Sequence, residues 1–275
     1  AKIQIPQRRR RKMNNKGRFT IPTDESFVEG TKIIAEKWGA DAVRDCDGTK
    51  LPENARQFGK VYNTYFVVRG DNEWARQHPE EAQRIFLLSN RNLATGETLE
   101  IEIMKGFLKD EFDPDYAYID LWEVYDRTTD IKHEKWGYNS INGIVTVENA
   151  MPFHEYTVTF LARVTWHPVQ IYNYLTNEWT CEKQLTYDPA FPETREYVKR
   201  HMEKWCEENP ETSVVRFTTF LYQFTLIFNN LGKERQVEWF GYAQTANPVL
   251  MEEFEKESGI HLVAEDFVDS GYYNN

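Results

Sequence analysis

Three places in the chain end an apolar stretch on side chains able to hold an anion or a hydroxyl. Ala42-Val43 runs into Arg44, Asp45, Asp47 and Gly48. The β-rich run Tyr156–Thr165 is followed by His167, Tyr172 and Asn173, and Val214-Val215 is followed by Arg216. Arginine presents a planar fork of donors suited to phosphate or carboxylate. Aspartate and asparagine pair with hydroxyls, and Gly48 lets backbone approach a ligand closely. If the three apolar stretches are neighbouring parallel strands, these groups converge on one rim, as at the C-terminal ends of α/β-barrel strands. Two arginines, an amide and carboxylates then suit a sugar together with an anion. An ordinary strand exit with a surface ion pair accounts for Gly39–Gly48 as well.

Other chemistries lack their signatures. There is no G-x-G-x-x-G, no P-loop, no H-E-x-x-H and no G-x-S-x-G. The six histidines, at 78, 133, 154, 167, 201 and 261, show no paired ligand spacing, which argues against a metal site. His154 and His167 flank one strand, a position where histidine most often serves structure. Cys46, Cys181 and Cys206 are odd in number and without C-x-x-C spacing, as expected of reduced thiols in a cytoplasmic protein.

The elements that must carry these groups alternate. Thr23-Asp24-Glu25 offers an N-cap with acids behind it. Phe27, Ile33, Ile34 and Trp38 then form a helical stripe that Gly39 stops. The opening strand is Ala42-Val43, a second helix covers Glu53–Tyr62, and a strand runs over Tyr65–Val68. From about Arg84 to Ala150 short strands recur between Asp, Gly, Asn and Pro clusters (Ile85–Leu88, Thr98–Ile103, Leu121–Tyr125, Ile144–Val147). That pattern predicts an antiparallel β insertion with one wet face. At Tyr156 the α/β rhythm resumes with a strand buried on both faces. An amphipathic helix follows over Thr194–Glu208, ended by Asn209-Pro210, then the Val214 strand. Val237–Ala243 is a further strand or loop, and Asn247–Gly259 a last helix.

At 275 residues the chain can bury a large core, but a closed eight-stranded barrel takes about 250 residues with no insertion. Only three or four βα units remain once the insertion is set aside. The expected fold is therefore α/β, the N-terminal part of a (β/α)8 TIM-type barrel. A basic unstructured leader over residues 1–17, with Met13 as a natural start, precedes a barrel portion over 18–275. A net charge of −11 argues against nucleic-acid or anionic-membrane binding, and no apolar run is long enough to span a bilayer. Aromatic residues reach 15%, which suits either sugar stacking or a core of large side chains.

Several long segments carry a family resemblance: Gly17–Pro22, Trp38–Thr49, His154–Ala162, Pro168–Trp179, Val214–Thr225 and Glu265–Asp269. Together they resemble the 1,3-β-galactosyl-N-acetylhexosamine phosphorylases, the galacto-N-biose/lacto-N-biose phosphorylases, from about Gly17 to Asn275. The resemblance implies a barrel catalytic domain related to a β-galactosidase family, followed by further domains. It implies reversible, inverting phosphorolysis of galactosyl-β-1,3-N-acetylhexosamine to α-galactose 1-phosphate and free N-acetylhexosamine. Inorganic phosphate is the co-substrate, with no other cofactor. Arg44, with Asp47 and Gly48 beside it, matches a position on the galactose and phosphate side. Asn173 and Arg216 match substrate-binding positions, and Val169 one that shapes the acetamido pocket. Tyr242 stands where some relatives carry a small thiol residue, a departure that bears on acceptor preference. The family's general acid, an aspartate, is expected beyond Asn275. The implied partners are disaccharide and phosphate, without nucleic acid or membrane, and any homodimer would form through regions outside this chain. The nearest enzyme alternative is galactosyl-β-1,4-L-rhamnose phosphorylase, which retention of Val169 and Asn173 disfavours. A non-catalytic sugar-binding fragment is the alternative of another class.

Overall fold

A computed structural model of the chain describes residues 19–23, 27–40, 42–45, 51, 59–66, 71–107, 112–166, 182–218 and 246–268. In chain order the first elements are β1 (Thr20–Pro22), α1 (Val28–Trp38), β2 (Ala42–Arg44), β3 (Lys60–Phe66) and α2 (Asn72–Gln77). A β-rich stretch follows: β4 (Arg84–Leu88), β5 (Asn92–Leu93), β6 (Thr98–Glu102), β7 (Phe112–Pro114) and β8 (Glu123–Asp126). It continues with β9 (Ile131–Lys132), β10 (Trp136–Asn139), β11 (Ile144–Glu148), β12 (Glu155–Trp166) and β13 (Gln184–Leu185). Last come α3 (Pro192–Glu208), β14 (Val214–Thr218) and α4 (Pro248–Ser258). The chain forms two units, Ala1–Val67 with Lys199–Thr218, and Val68–Val198 with Thr219–Asn275.

In the first unit β1, β2, β3 and β14 lie side by side in that order, every neighbouring pair parallel. Val43 pairs with Val61; both are fully buried, and Leu51 packs on them. The sheet therefore begins one strand earlier than the Ala42-Val43 opening expected from sequence, because β1 is too short to show a period. The expected helix over Glu53–Tyr62 also fails at its end. Gly59 takes a φ of 127°, and Lys60 already pairs with Ala42 in β3. The expected strand at Tyr65 thus starts earlier, at Lys60.

Helix α1 supplies the crossover between β1 and β2 and ends as expected. Gly39 adopts the left-handed conformation at φ 70°, and its N–H reaches the Ala35 carbonyl at 2.8 Å. Its buried face differs from the expected stripe. Thr31 and Ala35, one turn apart, turn inward, while Phe27, Ile33 and Trp38 are more than half exposed. The helix opens at Phe27 with no side-chain cap. Thr31 Oγ1 instead donates to the Phe27 carbonyl at 2.9 Å and bonds the hydroxyl of Thr23, at the end of β1.

In the second unit the twelve residues of β12 are the hub. They pair antiparallel with β8 and β7, and also with β5, β4 and β13. The strand expected here was a parallel one. Tyr156–Ala162 is buried throughout, and the antiparallel pairing continues past Ala150 to Leu185. A strand buried on both faces reads as one apolar run whichever way its neighbours point. A separate three-stranded meander, β10-β11-β6, has the wet face expected of it: Ile101, Val145 and Val147 are buried, Glu100 and Glu102 exposed.

The core of this unit packs Phe86, Phe160, Trp122 and Tyr156. Arg84 lies beneath its edge with only 2% of its surface exposed. Its Nε donates to Asp115 Oδ2 at 2.8 Å, and its guanidinium also reaches the carbonyls of Pro79, Glu80 and Ala82. Asn247 caps α4 by accepting from Val249 N, and donates to the Glu80 and Ala82 carbonyls as well. α2 and the start of α3 are joined by a three-ring stack. Trp74 lies between His78 (3.8 Å) and Tyr197 (4.0 Å), and its indole N–H donates to Thr194. Tyr197 in turn donates to Asp71, which caps α2. No helix among the described residues is long and apolar enough to cross a membrane.

Candidate phosphate and sugar rim

Alternation along paired strands sorts the first unit's sheet into two faces. Val43, Val61, Asn63, Tyr65, Val215 and Phe217 share one. Arg44, Tyr62, Thr64 and Arg216 share the other, since Arg44 pairs with Tyr62 and Arg216 with Thr64. Arg44 is the last residue of β2, so its side chain leaves the sheet at the C-terminal end, where parallel α/β sheets bind ligands. Arg216 lies two strands across and two residues further along. With strands about 4.8 Å apart and a rise of about 3.3 Å per residue, their Cα atoms are about 12 Å apart. The two cations thus serve one rim and could hold a phosphate and its neighbouring sugar.

The exit of β2 is fixed on both flanks. Thr23 N donates to the Arg44 carbonyl at 2.9 Å, from the β1 side. On the β3 side, Asp45 N donates to the Tyr62 carbonyl at 3.1 Å. The Asp45 carboxylate, 3% exposed, accepts from Thr64 N at 3.0 Å and from Thr64 Oγ1 at 2.7 Å. Arg44 Nη1 donates to the Asp45 carbonyl at 3.0 Å. Asp45 is thus an acceptor within the fold.

The opposite face is held by α3. Tyr65 packs edge-on against Trp205 (5.4 Å) and Phe217 (6.2 Å), and its hydroxyl lies 3.1 Å from His201 Nδ1. Burial, with Cys206 adding to it, pushes the Tyr65 hydroxyl up to about 12. Asn63 Nδ2 donates to Thr212 Oγ1 at 2.7 Å, and Ser213 N to the Val61 carbonyl at 2.8 Å. These bonds fix β14, and so Arg216, against β3.

Of the site residues expected from sequence, Arg44 and Arg216 come together on this sheet. Asp47, Gly48, Val169, Asn173 and Tyr242 lie outside the described residues, as do His167 and Tyr172. The strand before Asn173 is not a parallel neighbour of the other two, because β12 pairs antiparallel and belongs to another sheet. Thr64 was not foreseen: its tie to Asp45 joins β3 to the residue just past the end of β2, 19 positions away. Only alternation counted from Val61 could have put it on the arginine face.

In the second unit, His154 Nδ1 lies 2.7 Å from Asp126 Oδ2, a structural pairing at the β12 boundary. Burial pushes the Asp126 carboxyl up, but bonds from His154 and the Thr128 and Thr129 amides outweigh it, leaving it below its ordinary value. Among the described residues no group of three or more His, Cys, Asp or Glu is arranged to hold a metal ion.

Residues 17–275 match the lacto-N-biose phosphorylase N-terminal TIM barrel domain. The chain is 45% identical, over 267 residues, to a 1,3-beta-galactosyl-N-acetylhexosamine phosphorylase of Lachnoclostridium phytofermentans, covering 94% of this chain and 37% of that protein. It is 44% identical over 269 residues to the 1,3-beta-galactosyl-N-acetylhexosamine phosphorylase of Bifidobacterium longum subsp. longum, covering 96% and 36% respectively. Identity falls to 37% over 267 residues with the D-galactosyl-beta-1→4-L-rhamnose phosphorylase of L. phytofermentans, covering 94% and 37%. The chain spans a little over a third of the length of these relatives.

Proposed function

The chain belongs to the lacto-N-biose phosphorylase family, of whose N-terminal TIM barrel domain it is a member, and we propose that its protein is a galactosyl-β-1,3-N-acetylhexosamine phosphorylase. The four-stranded parallel sheet β1-β2-β3-β14 supports that membership. In the proposed reaction an oxygen of inorganic phosphate attacks the anomeric carbon of galactose, and the β-glycosidic C–O bond breaks. The leaving oxygen of the N-acetylhexosamine takes a proton from a general acid, and α-galactose 1-phosphate is formed with inversion. Phosphate arrives already anionic, so no base need activate it. The protein must supply cations to hold it and one acid to protonate the leaving group.

The observation that carries this reading is the placement of Arg44 and Arg216 on one face of the parallel sheet. Arg44 takes the galactose and phosphate side, with Asp47 and Gly48. Arg216 and Asn173 bind substrate, and Val169 and Tyr242 bound the acceptor pocket. Asp45 is unsuited to be the acid, because both its oxygens accept from Thr64. The acid is proposed to lie beyond Asn275. The greater identity to the two β-1,3 enzymes than to the rhamnoside enzyme favours an acetamido-bearing acceptor.

The test is formation of α-galactose 1-phosphate by the full-length protein from phosphate and lacto-N-biose, galacto-N-biose or galactosyl-rhamnose. Turnover of the two β-1,3 disaccharides is expected, and preference for the rhamnoside would overturn the reading. The 275-residue chain alone is expected to be inactive; turnover by it would refute the location of the acid.

A further inference from the structure

Asp45 is a bracket between β3 and Arg44. Every polar group it carries is used: its N–H on Tyr62, both carboxylate oxygens on Thr64, and its carbonyl on the Arg44 guanidinium. We propose that Thr64 is a positioning residue, its hydroxyl holding Asp45 so that the Asp45 carbonyl orients Arg44 toward the bound galactosyl phosphate. The inference rests on the ligand-holding role given to Arg44 above. Thr64 itself need not touch substrate.

Two features make the hydroxyl the critical part. Asp45 is 3% exposed and Thr64 6%, so water cannot readily replace the lost donor. The flanking backbone bonds, from Thr23 to Arg44 and from Asp45 to Tyr62, fix the peptide plane but not the arginine's torsions. Among the described residues, the Arg44 guanidinium is held by its 3.0 Å bond to Asp45 O. A small rotation at residue 45 is therefore passed directly to the cation. Valine at 64 keeps the shape, the strand preference and the Thr64 N–H bond to Asp45, and removes the 2.7 Å hydroxyl bond alone.

The experiment measures binding of α-galactose 1-phosphate to the full-length protein by calorimetry, alongside phosphorolysis of galacto-N-biose. Thr64→Val is expected to weaken binding about tenfold, equivalent to about 1.4 kcal/mol. Thr64→Ser, which restores the hydroxyl, should return it to within about twofold. In an Arg44→Ala background Thr64→Val should cost nothing further, because the group it positions is gone. Unchanged binding in Thr64→Val, no rescue by serine, or a full additional loss on top of Arg44→Ala would each overturn the inference. Intact α-galactose 1-phosphate binding with no phosphorolysis would instead overturn the proposed reaction and leave the binding comparison to judge Thr64. A parent protein that does not bind α-galactose 1-phosphate overturns both.

Discussion

Replacing Arg84 with methionine removes the buried cation at the start of β4, the strand that pairs with the hub strand of the antiparallel unit. Breaking a buried ion pair by deleting one partner costs about 3–5 kcal/mol, because the other charge stays behind. Here Asp115 is left with Arg163, whose Nε is 3.9 Å away, which argues for the lower half of that range. Of the three carbonyls served by Arg84, two keep a donor: Asn247 Nδ2 lies 2.8 Å from Glu80 O and 3.2 Å from Ala82 O. Pro79 O loses its charged donor at 2.8 Å, a further cost of about 1 kcal/mol. Methionine recovers roughly 1–2 kcal/mol by burying an apolar chain in the same slot. The balance is a loss of about 3 kcal/mol, a large part of a typical total stability of about 5–15 kcal/mol. Denaturant unfolding followed by tryptophan fluorescence reads it, and Asp115→Leu added to Arg84→Met should recover about half. A loss below about 1 kcal/mol, or full additivity of the two changes, would refute the assignment of Arg84 as a paired, fully engaged buried cation.

Two further outcomes concern pH. Tyr65 keeps its proton up to about 12 when folded but releases it near 10 when unfolded, so stability is present below pH 10 and drains away between the two. Tyr65→Phe should remove that loss, on the order of 2 kcal/mol, from the alkaline limb of a stability-versus-pH series; an unchanged limb counts against the buried hydroxyl. Asp126 is held below its ordinary carboxylate value in the fold, so it stabilises above about pH 4 and ceases to as pH falls through its folded value. His154→Ala removes one of the bonds that lower it, and the acid-unfolding midpoint should rise; a midpoint that stays put would show the pairing to be idle.

Local signals were the legible ones. The Gly39 stop, the helix ended by Asn209-Pro210, the last helix with its Gly259 stop and the alternation in Thr98–Glu102 each depend on a few neighbouring residues, and each is found. Strand direction was not legible at β12. Its continuous apolar run reflects burial on both faces, and that burial is the same whether the partners run parallel or antiparallel. The α1 face was misjudged for a related reason. Periodicity ranks large residues first, but the row turned inward is Thr31 and Ala35, small enough for close approach. At the rim, arginine after a short apolar run was enough to single out Arg44 and Arg216. What steadies Arg44, the Thr64–Asp45 link, exists only once β2 and β3 are paired.

The ring stack of Trp74 with His78 and Tyr197 has a consequence for how the molecule folds. β3 and β14 pair although Val61 and Ser213 are 152 residues apart in sequence. Closing a loop that long costs about 2 kcal/mol more than closing a minimal crossover of about 12 residues. If the stack and the Tyr197–Asp71 bond form first, they bring the two ends of the excursion together. That leaves only residues 67–70 and 198–213 to span the gap from β3 to β14 and offsets most of the penalty. The expected order is closure of this excursion first and the β3–β14 pairing that carries Arg216 second. Trp74→Ala should slow refolding of the parallel sheet as well as lower stability, and stopped-flow refolding with an unchanged rate would contradict that order.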